Sequence, residues 1–342
     1  MIFFLAWCAG LIAGWAAPFF HADAASVKEP ALNENFYGVE IAGRKAWIVG
    51  YYGTILHSPD RGSTWEIQSS PARSALFKAR FVNPSTGWIH GSYGTILRTV
   101  DGGKSWRPQP SGTGEHLFDS FWLDESRGWL VGGRGVTLRT DDGGRSWRNL
   151  SVPGDFTFNA VSFVDRARGW LAGEFGVIFH TRDGGSSWTK QKSPIEVSFA
   201  SGESRNLFAL LFGAPQFAYA FGLDGVILRT ADGSRWEVAR QASGIGRRTA
   251  AHHLFAAARV GGRVWAVGER GAFLRFDDRG DVWRQAASNI PPITLNGIAF
   301  GADGFGLIVG NRGLVMRSED GGSSWQRLKI NLTPSSKDKS AP

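Results

Sequence analysis

GSYGTILRTVDGGKSW (91–106) and GGRGVTLRTDDGGRSW (132–147) are two copies of one phrase, and its second half recurs along the whole chain. The copies are SPDRGSTW (58–65), TVDGGKSW (99–106), TDDGGRSW (140–147), TRDGGSSW (181–188), TADGSRW (230–236), FDDRGDVW (276–283) and SEDGGSSW (318–325). Their tryptophans, Trp65, Trp106, Trp147, Trp188, Trp236, Trp283 and Trp325, lie 41, 41, 41, 48, 47 and 42 residues apart. About 40–45 residues is the length of one four-stranded propeller blade. The spacing predicts an all-β chain: a seven-bladed β-propeller of four-stranded antiparallel blades with Asp-box turns, over 33–330.

One unit shows why it is strand throughout. ALFKARFV (75–82), GWIHG (87–91), GTILRT (94–99) and WRPQPS (106–111) are short, rich in aromatic or β-branched residues, and bounded by Gly, Pro, Asn, Asp or Ser. The link inside G-x-x-G (Gly91 to Gly94) and the Asp-Gly turn both suit tight hairpins, because Gly accepts positive φ. The second strand carries Trp47, Trp88, Trp129, Trp170, Tyr219, Trp265 and Leu307, each three residues before a glycine. A large flat side chain recurring there is expected to fill the wall between blades. With the box tryptophans, also expected to be buried, this explains 12 of the 13 tryptophans beyond residue 15, so aromatic richness reads as architecture rather than a stacking site for sugars or bases.

Residues 2–20 hold no charge and precede Ala22-Asp23-Ala24, a small-residue cleavage pattern, so 1–24 reads as a signal peptide with a mature start at Ala25. A basic n-region is missing, which leaves retention as an anchor open. Cys8 follows Trp7, too large for a lipidation site, and the mature chain then has no cysteine. Residues 331–342 are polar with Pro and Ser and read as a disordered tail. Of the 38 basic residues 29 are arginine, against a net charge of +8, which favours directed contact with carboxylates, phosphates or backbone carbonyls over mere solubility. No nucleic-acid-binding motif accompanies the charge.

A repeat supplies its own control: what all blades share serves the blade, and what varies is available to a partner. The third-strand basic residues His57, Arg98, Arg139, His180, Arg229, Arg275 and Arg317 occur in every copy and are expected to neutralise the box aspartates or bond a neighbouring turn. The box aspartates Asp60, Asp101, Asp142, Asp183, Asp232, Asp278 and Asp320 are expected to cap their own turns. By contrast, the residue before the second glycine of G-x-x-G is Tyr52, Tyr93, Arg134, Phe175, Asp224, Arg270 and Arg312. Those tips share one face with the blade-to-blade loops. Arg134, Arg270 and Arg312, with Tyr52 and Tyr93, are the candidate partner-binding residues, since Arg and Tyr anchor interfaces. The two long spacings place extra residues in 193–205 and 240–251, and the second adds Arg247 and Arg248 to the set. Catalytic and metal sites are not expected. His252 and His253 are neighbours on a strand and point to opposite faces, and there is no Walker loop, G-x-S-x-G or H-E-x-x-H.

The run G-x-x-G-x-ϕ-x-R-T-x-D-G-G-x-S-W (ϕ apolar) at 91–106 and 132–147 resembles the photosystem II stability/assembly factor family of plants and cyanobacteria. The resemblance implies an exported, non-catalytic seven-bladed propeller that binds a membrane-protein assembly intermediate through arginine-rich surface, from the lumenal side. Related propellers occur in bacteria without a photosystem, and the signal segment is more like such an envelope protein. The implied partner is a membrane-protein complex or an envelope transporter, met in the periplasm, or in the thylakoid lumen of a photosynthetic organism. The expected chain is a monomer without cofactor, nucleic acid or small-molecule substrate. The alternative is a secreted sialidase-like glycoside hydrolase, which shares the Asp box but needs an Arg-Ile-Pro signature and a tyrosine nucleophile with a glutamate partner. That signature is absent and only five tyrosines are present.

Overall fold

The computed structural model describes residues 34–201, 203–213, 217–239, 252–277, 282–286, 289–330 and 332. The signal segment, Arg247, Arg248, Asp278 and the tail beyond 332 lie outside them.

Seven four-stranded antiparallel sheets follow one another, each built from four consecutive strands. The innermost strands are Phe36–Ala42, Leu76–Phe81, Leu117–Trp122, Phe158–Phe163, Leu207–Gly213, Leu254–Val260 and Leu295–Phe300. Each touches the next, and the last touches the first, so the sheets form a closed ring, and among the described residues no strand is exchanged between blades. Second strands such as Gly87–Gly91 and Gly128–Gly132 are buried at every position, because a blade is covered by a neighbour on both faces. Outer strands are short and exposed: Arg107–Pro108 ends well before the six residues the sequence suggests. Among the described residues no helix is long and apolar enough to cross a membrane.

Blade-to-blade packing uses the second-strand aromatics as expected. Trp47 stacks on Phe81 at 3.6 Å, Trp129 on Phe163 at 3.8 Å and Trp170 on Phe212 at 4.3 Å, in each case one blade onward. Trp122, which the repeat pattern leaves unexplained, is the inner-strand partner of Trp88 at 3.4 Å. The indole N–H groups of Trp88, Trp129 and Trp170 donate to carbonyls of the next blade's Asp-Gly turn, at Gly143, Gly184 and Gly233. Of the box tryptophans, Trp65, Trp106, Trp236, Trp283 and Trp325 are buried. Trp147 and Trp188 are only half-buried, so that expectation is corrected for blades 3 and 4.

The box aspartates close their turns. Asp101 accepts the Ser105 amide and hydroxyl and the Thr99 hydroxyl, while Thr99 accepts the Gly103 amide. Asp60, Asp142, Asp183 and Asp320 do the same, and Asp232 serves a turn one residue shorter. At Asp142 and Asp183 slight burial pushes the carboxyl up, but the serine hydroxyls and amides outweigh it; at Asp320 the Ser324 hydroxyl leads. All three are held down at about 2. Inside the ring, burial pushes His90 down from 6.5 to about 4. Because the unfolded chain binds more protons in both ranges, acid destabilises the fold in two windows. Chemical denaturation at stepped pH should show stability falling from about pH 6.5 to 4 with His90, then from about 4 to 2 with the turns. His90→Gln should flatten the first slope and leave the second, the remainder of the first coming from His57, His116 and His180, which burial also pushes down.

His57, Arg139 and Arg317 pair with Glu66, Asp141 and Glu319 rather than with the box aspartates, which corrects half of that expectation in blades 1, 3 and 7. Strand register sets the third-strand basic residue opposite the second-strand aromatic, as in Trp88 with Arg98 and Trp129 with Arg139. Arg98, Arg139 and Arg275 lie over those rings at 5.6, 5.9 and 6.0 Å, a cation–π contact. The other half holds in two blades: Arg139 donates to Gly184 O and Arg317 to the Ser63 hydroxyl, both on the following blade's turn.

Candidate functional site: the loop face and the channel mouth

All seven hairpin tips share one backbone form. Tyr52, Tyr93, Arg134, Phe175, Asp224, Arg270 and Arg312 have φ between 49° and 58°, and only Arg61 joins them among described non-glycine residues. The left-handed region costs a residue with a Cβ about 1–2 kcal/mol. The following glycine has positive φ too, and its amide reaches the next blade: Gly94 to Glu115 O, Gly135 to Phe156 O, Gly313 to Glu34 O. A Cβ on Gly94 would come within 2.0 Å of Thr113 O, so only glycine fits there. The tip residue itself meets no such limit; six of the seven are exposed, and Phe175 instead packs on the core of blade 4.

Tyr52 and Tyr93 are 69% and 72% exposed, and Arg134, Arg270 and Arg312 are exposed as well. The ring carries them on consecutive blades 6, 7, 1, 2 and 3. Arg134 sits 3.7 Å from Glu115 and Arg270 4.0 Å from Glu269, so two of the three arginines have a carboxylate beside them. The loop 193–205 folds over the tip of blade 4, where the Val197 amide donates to Phe175 O. Replacing a tip residue by glycine relieves the left-handed strain against a gain in unfolded-chain freedom, so Arg134→Gly should raise stability by about 0.5–1 kcal/mol in urea unfolding.

Residues the sequence analysis passed over stand behind the tips. The second residue of each innermost strand is Tyr37, Phe77, Phe118, Asn159, Phe208, Phe255 or Asn296, and each is the unpaired residue of a β-bulge. A bulge re-aims its side chain out of the sheet pattern. Rings connect tip to channel: Tyr93 to His116 at 5.0 Å, His116 to Phe118 at 6.1 Å, Phe118 to Phe77 at 5.6 Å, Phe77 to Tyr37 at 5.9 Å. Phe208 and Phe255 meet at 5.3 Å. The signal was available, since one aromatic recurs at a fixed place in five blades.

Below this collar is a cavity of about 60 Å³ with two unlike walls. Blades 5 to 7 give Ala209, Leu210, Ala256, Ala257, Gly297 and Ile298; blades 2 and 3 give Lys78, Arg80 and Asp119. Asp119, 4% exposed, accepts from Lys78 at 3.0 Å, Arg80 at 3.1 Å and the Val161 amide at 3.1 Å, and Arg80 reaches Glu40 at 3.3 Å. Burial would push the Asp119 carboxyl up, but the two cations hold it down; at Glu40 burial prevails and the carboxyl is raised.

Residues 112–197, spanning blades 3 and 4, match the family model of photosynthesis system II assembly factor YCF48. Over that quarter of its length the chain resembles the YCF48 assembly factors. Comparison with curated proteins finds no match. Among solved structures, YCF48 bound to D1 peptide superposes with a TM-score of 0.65 at 21% identity, covering 84% of this chain and 94% of that one. YCF48 from Cyanidioschyzon merolae gives 0.64 at 19%, covering 85% and 97%. An ancestral GH74 enzyme gives 0.66 at 15%, covering 92% of this chain and 49% of that one. At these identities the superpositions show the fold, and the likeness to the family rests on the sequence match over 112–197.

Proposed function

We propose that the chain is a non-catalytic, exported propeller that docks through its loop face onto a membrane protein or its extracytoplasmic domain, as an assembly or accessory factor. The observation that carries this reading is the tip geometry. Seven tips share the same left-handed form, and on six of them the side chain is exposed, yet their identities change from blade to blade. Arginine and tyrosine dominate on five consecutive blades, the residue types that anchor interfaces. The match to an assembly-factor family, and a relative whose structure holds a D1 peptide, support a protein partner. The partner would be met in the periplasm or, in a photosynthetic organism, the thylakoid lumen; an envelope transporter is the alternative client. A hydrolase has less support: the channel carboxylates Glu40 and Asp119 are both paired to Arg80 rather than facing each other across a substrate.

Arg270→Glu with Arg312→Glu should reduce co-purification with the membrane partner about ten-fold or more while leaving the melting temperature nearly unchanged, because exposed substitutions cost little stability. Charge reversal at Arg107 and Arg148, exposed on outer strands, is the control. Loss of capture in the control pair and not in the first would place the interface on the rim.

A further inference from the structure

We propose that the channel mouth is a peptide site in its own right: the collar takes one apolar side chain of an extended acidic segment, with a neighbouring carboxylate of that segment meeting Lys78. The assignment rests on the loop-face reading and names its partner more closely. Three observations carry it.

The first is placement. The third residue of the innermost strand is glycine or alanine in five blades, Gly38, Ala160, Ala209, Ala256 and Gly297, which leaves the cavity room along its apolar wall. Only Lys78 and Asp119 break that rule, on adjacent blades facing the small residues. The second is chemistry. The Lys78 ammonium has three donors, and its hydrogen bond to Asp119 uses one. Asn296 lines the same cavity, is 8% exposed, and gives its amide hydrogens to Phe36 O and Asn311 Oδ1, while its own Oδ1 is buried without a hydrogen bond. A peptide amide supplies the donor that this oxygen lacks, and a buried acceptor left unpaired is costly. The third is charge complementarity with continuity: Arg134, Arg270 and Arg312 stand exposed on the hairpin tips of blades 3, 6 and 7, and the ring path from Tyr93 to Tyr37 leads from the tip of blade 2 to the cavity. Acidic residues suit the rim, and an apolar side chain suits the collar and the alanine wall.

The test is fluorescence anisotropy on the full chain with three fluorescein-labelled peptides: alternating aspartate and leucine, alternating aspartate and serine, and alternating lysine and leucine. The first should bind at least about ten-fold tighter than the others, the size expected when an aromatic pocket loses its apolar guest. Phe77→Ser and Phe118→Ser should each abolish that preference. Thermal melts of both serine variants near the wild-type value guard against misfolding, and Phe77→Leu, which keeps an apolar side chain there, should retain the preference. Equal binding of the two aspartate peptides, or collar variants that bind as wild type does, would overturn the proposal. If the arginine reversals still abolish binding in that case, the loop-face reading survives without the collar; if they also have no effect, both fall. Concentration-dependent dimerisation lost on Phe77→Ser would instead make a second copy of the chain the occupant, and would overturn the peptide assignment.

Discussion

Trp65→Ala should lower stability by about 3–5 kcal/mol, the cost of deleting a fully buried large aromatic. Trp65 is 1% exposed and packs among Phe305, Leu307, Val315 and Ile330, so its ring fills the seam where blade 7 meets blade 1. Its indole N–H donates to Gly62 O, and its backbone bridges Leu332 beyond the last strand. The seam has further ties. Arg61 reaches Asp303 at 2.8 Å and Glu319 at 2.5 Å, and Asn296 donates to Phe36 O. Among the described residues each blade draws its four strands from its own stretch of chain, so apart from the Trp65–Leu332 bridge it is these side-chain contacts that close the seam. Trp147→Ala is the comparison: that ring is half-buried and meets Trp122 edge-on at 5.7 Å, so its loss should cost clearly less. Urea midpoints of the two variants decide it. Equal losses would mean that the seam is no more dependent on its tryptophan than an ordinary blade boundary.

The ring was legible because each blade repeats the same solution to the same packing problem. Every copy carries its Asp-box turn, a large apolar second-strand side chain that is aromatic in six, and the glycine pair at the tip, and spacing alone orders them. Repetition also misleads in places. The basic residue three positions before each box aspartate suggests an ion pair along the strand, but strand register turns it across to the neighbouring aromatic. Trp147 and Trp188 share the box of Trp65 yet are less covered. The tip residues could be picked out as variable, but their left-handed backbone could not, since arginine and tyrosine there carry no sign of φ. The collar was missed for a different reason: a bulge shifts the side-chain alternation by one residue, so Phe77 and Phe118 read as ordinary members of a strand.

The channel charges are the feature that blade logic explains least, and Asp119→Ala is the sharpest probe of them. Removing that carboxylate leaves the Lys78 and Arg80 cations and the Val161 amide without their shared acceptor in a buried wall. Breaking one partner out of a buried ion network costs about 3–5 kcal/mol, because an uncompensated charge stays behind. Replacing the whole group is a different matter. The other blades show what the positions accept without charge: alanine at the third place and Ser162, Leu211 or Ala258 at the fifth. The combined variant Glu40→Ala, Lys78→Ala, Arg80→Leu, Asp119→Ala should therefore be more stable than Asp119→Ala alone, and close to wild type, since buried pairs seldom outperform apolar residues of similar size. Thermal melts of the single, quadruple and wild-type chains rank the three. A quadruple variant as damaged as the single would mean that the network holds the inner strands together. A quadruple variant as stable as wild type that no longer binds the aspartate and leucine peptide would mean that these charges are kept for what enters the channel.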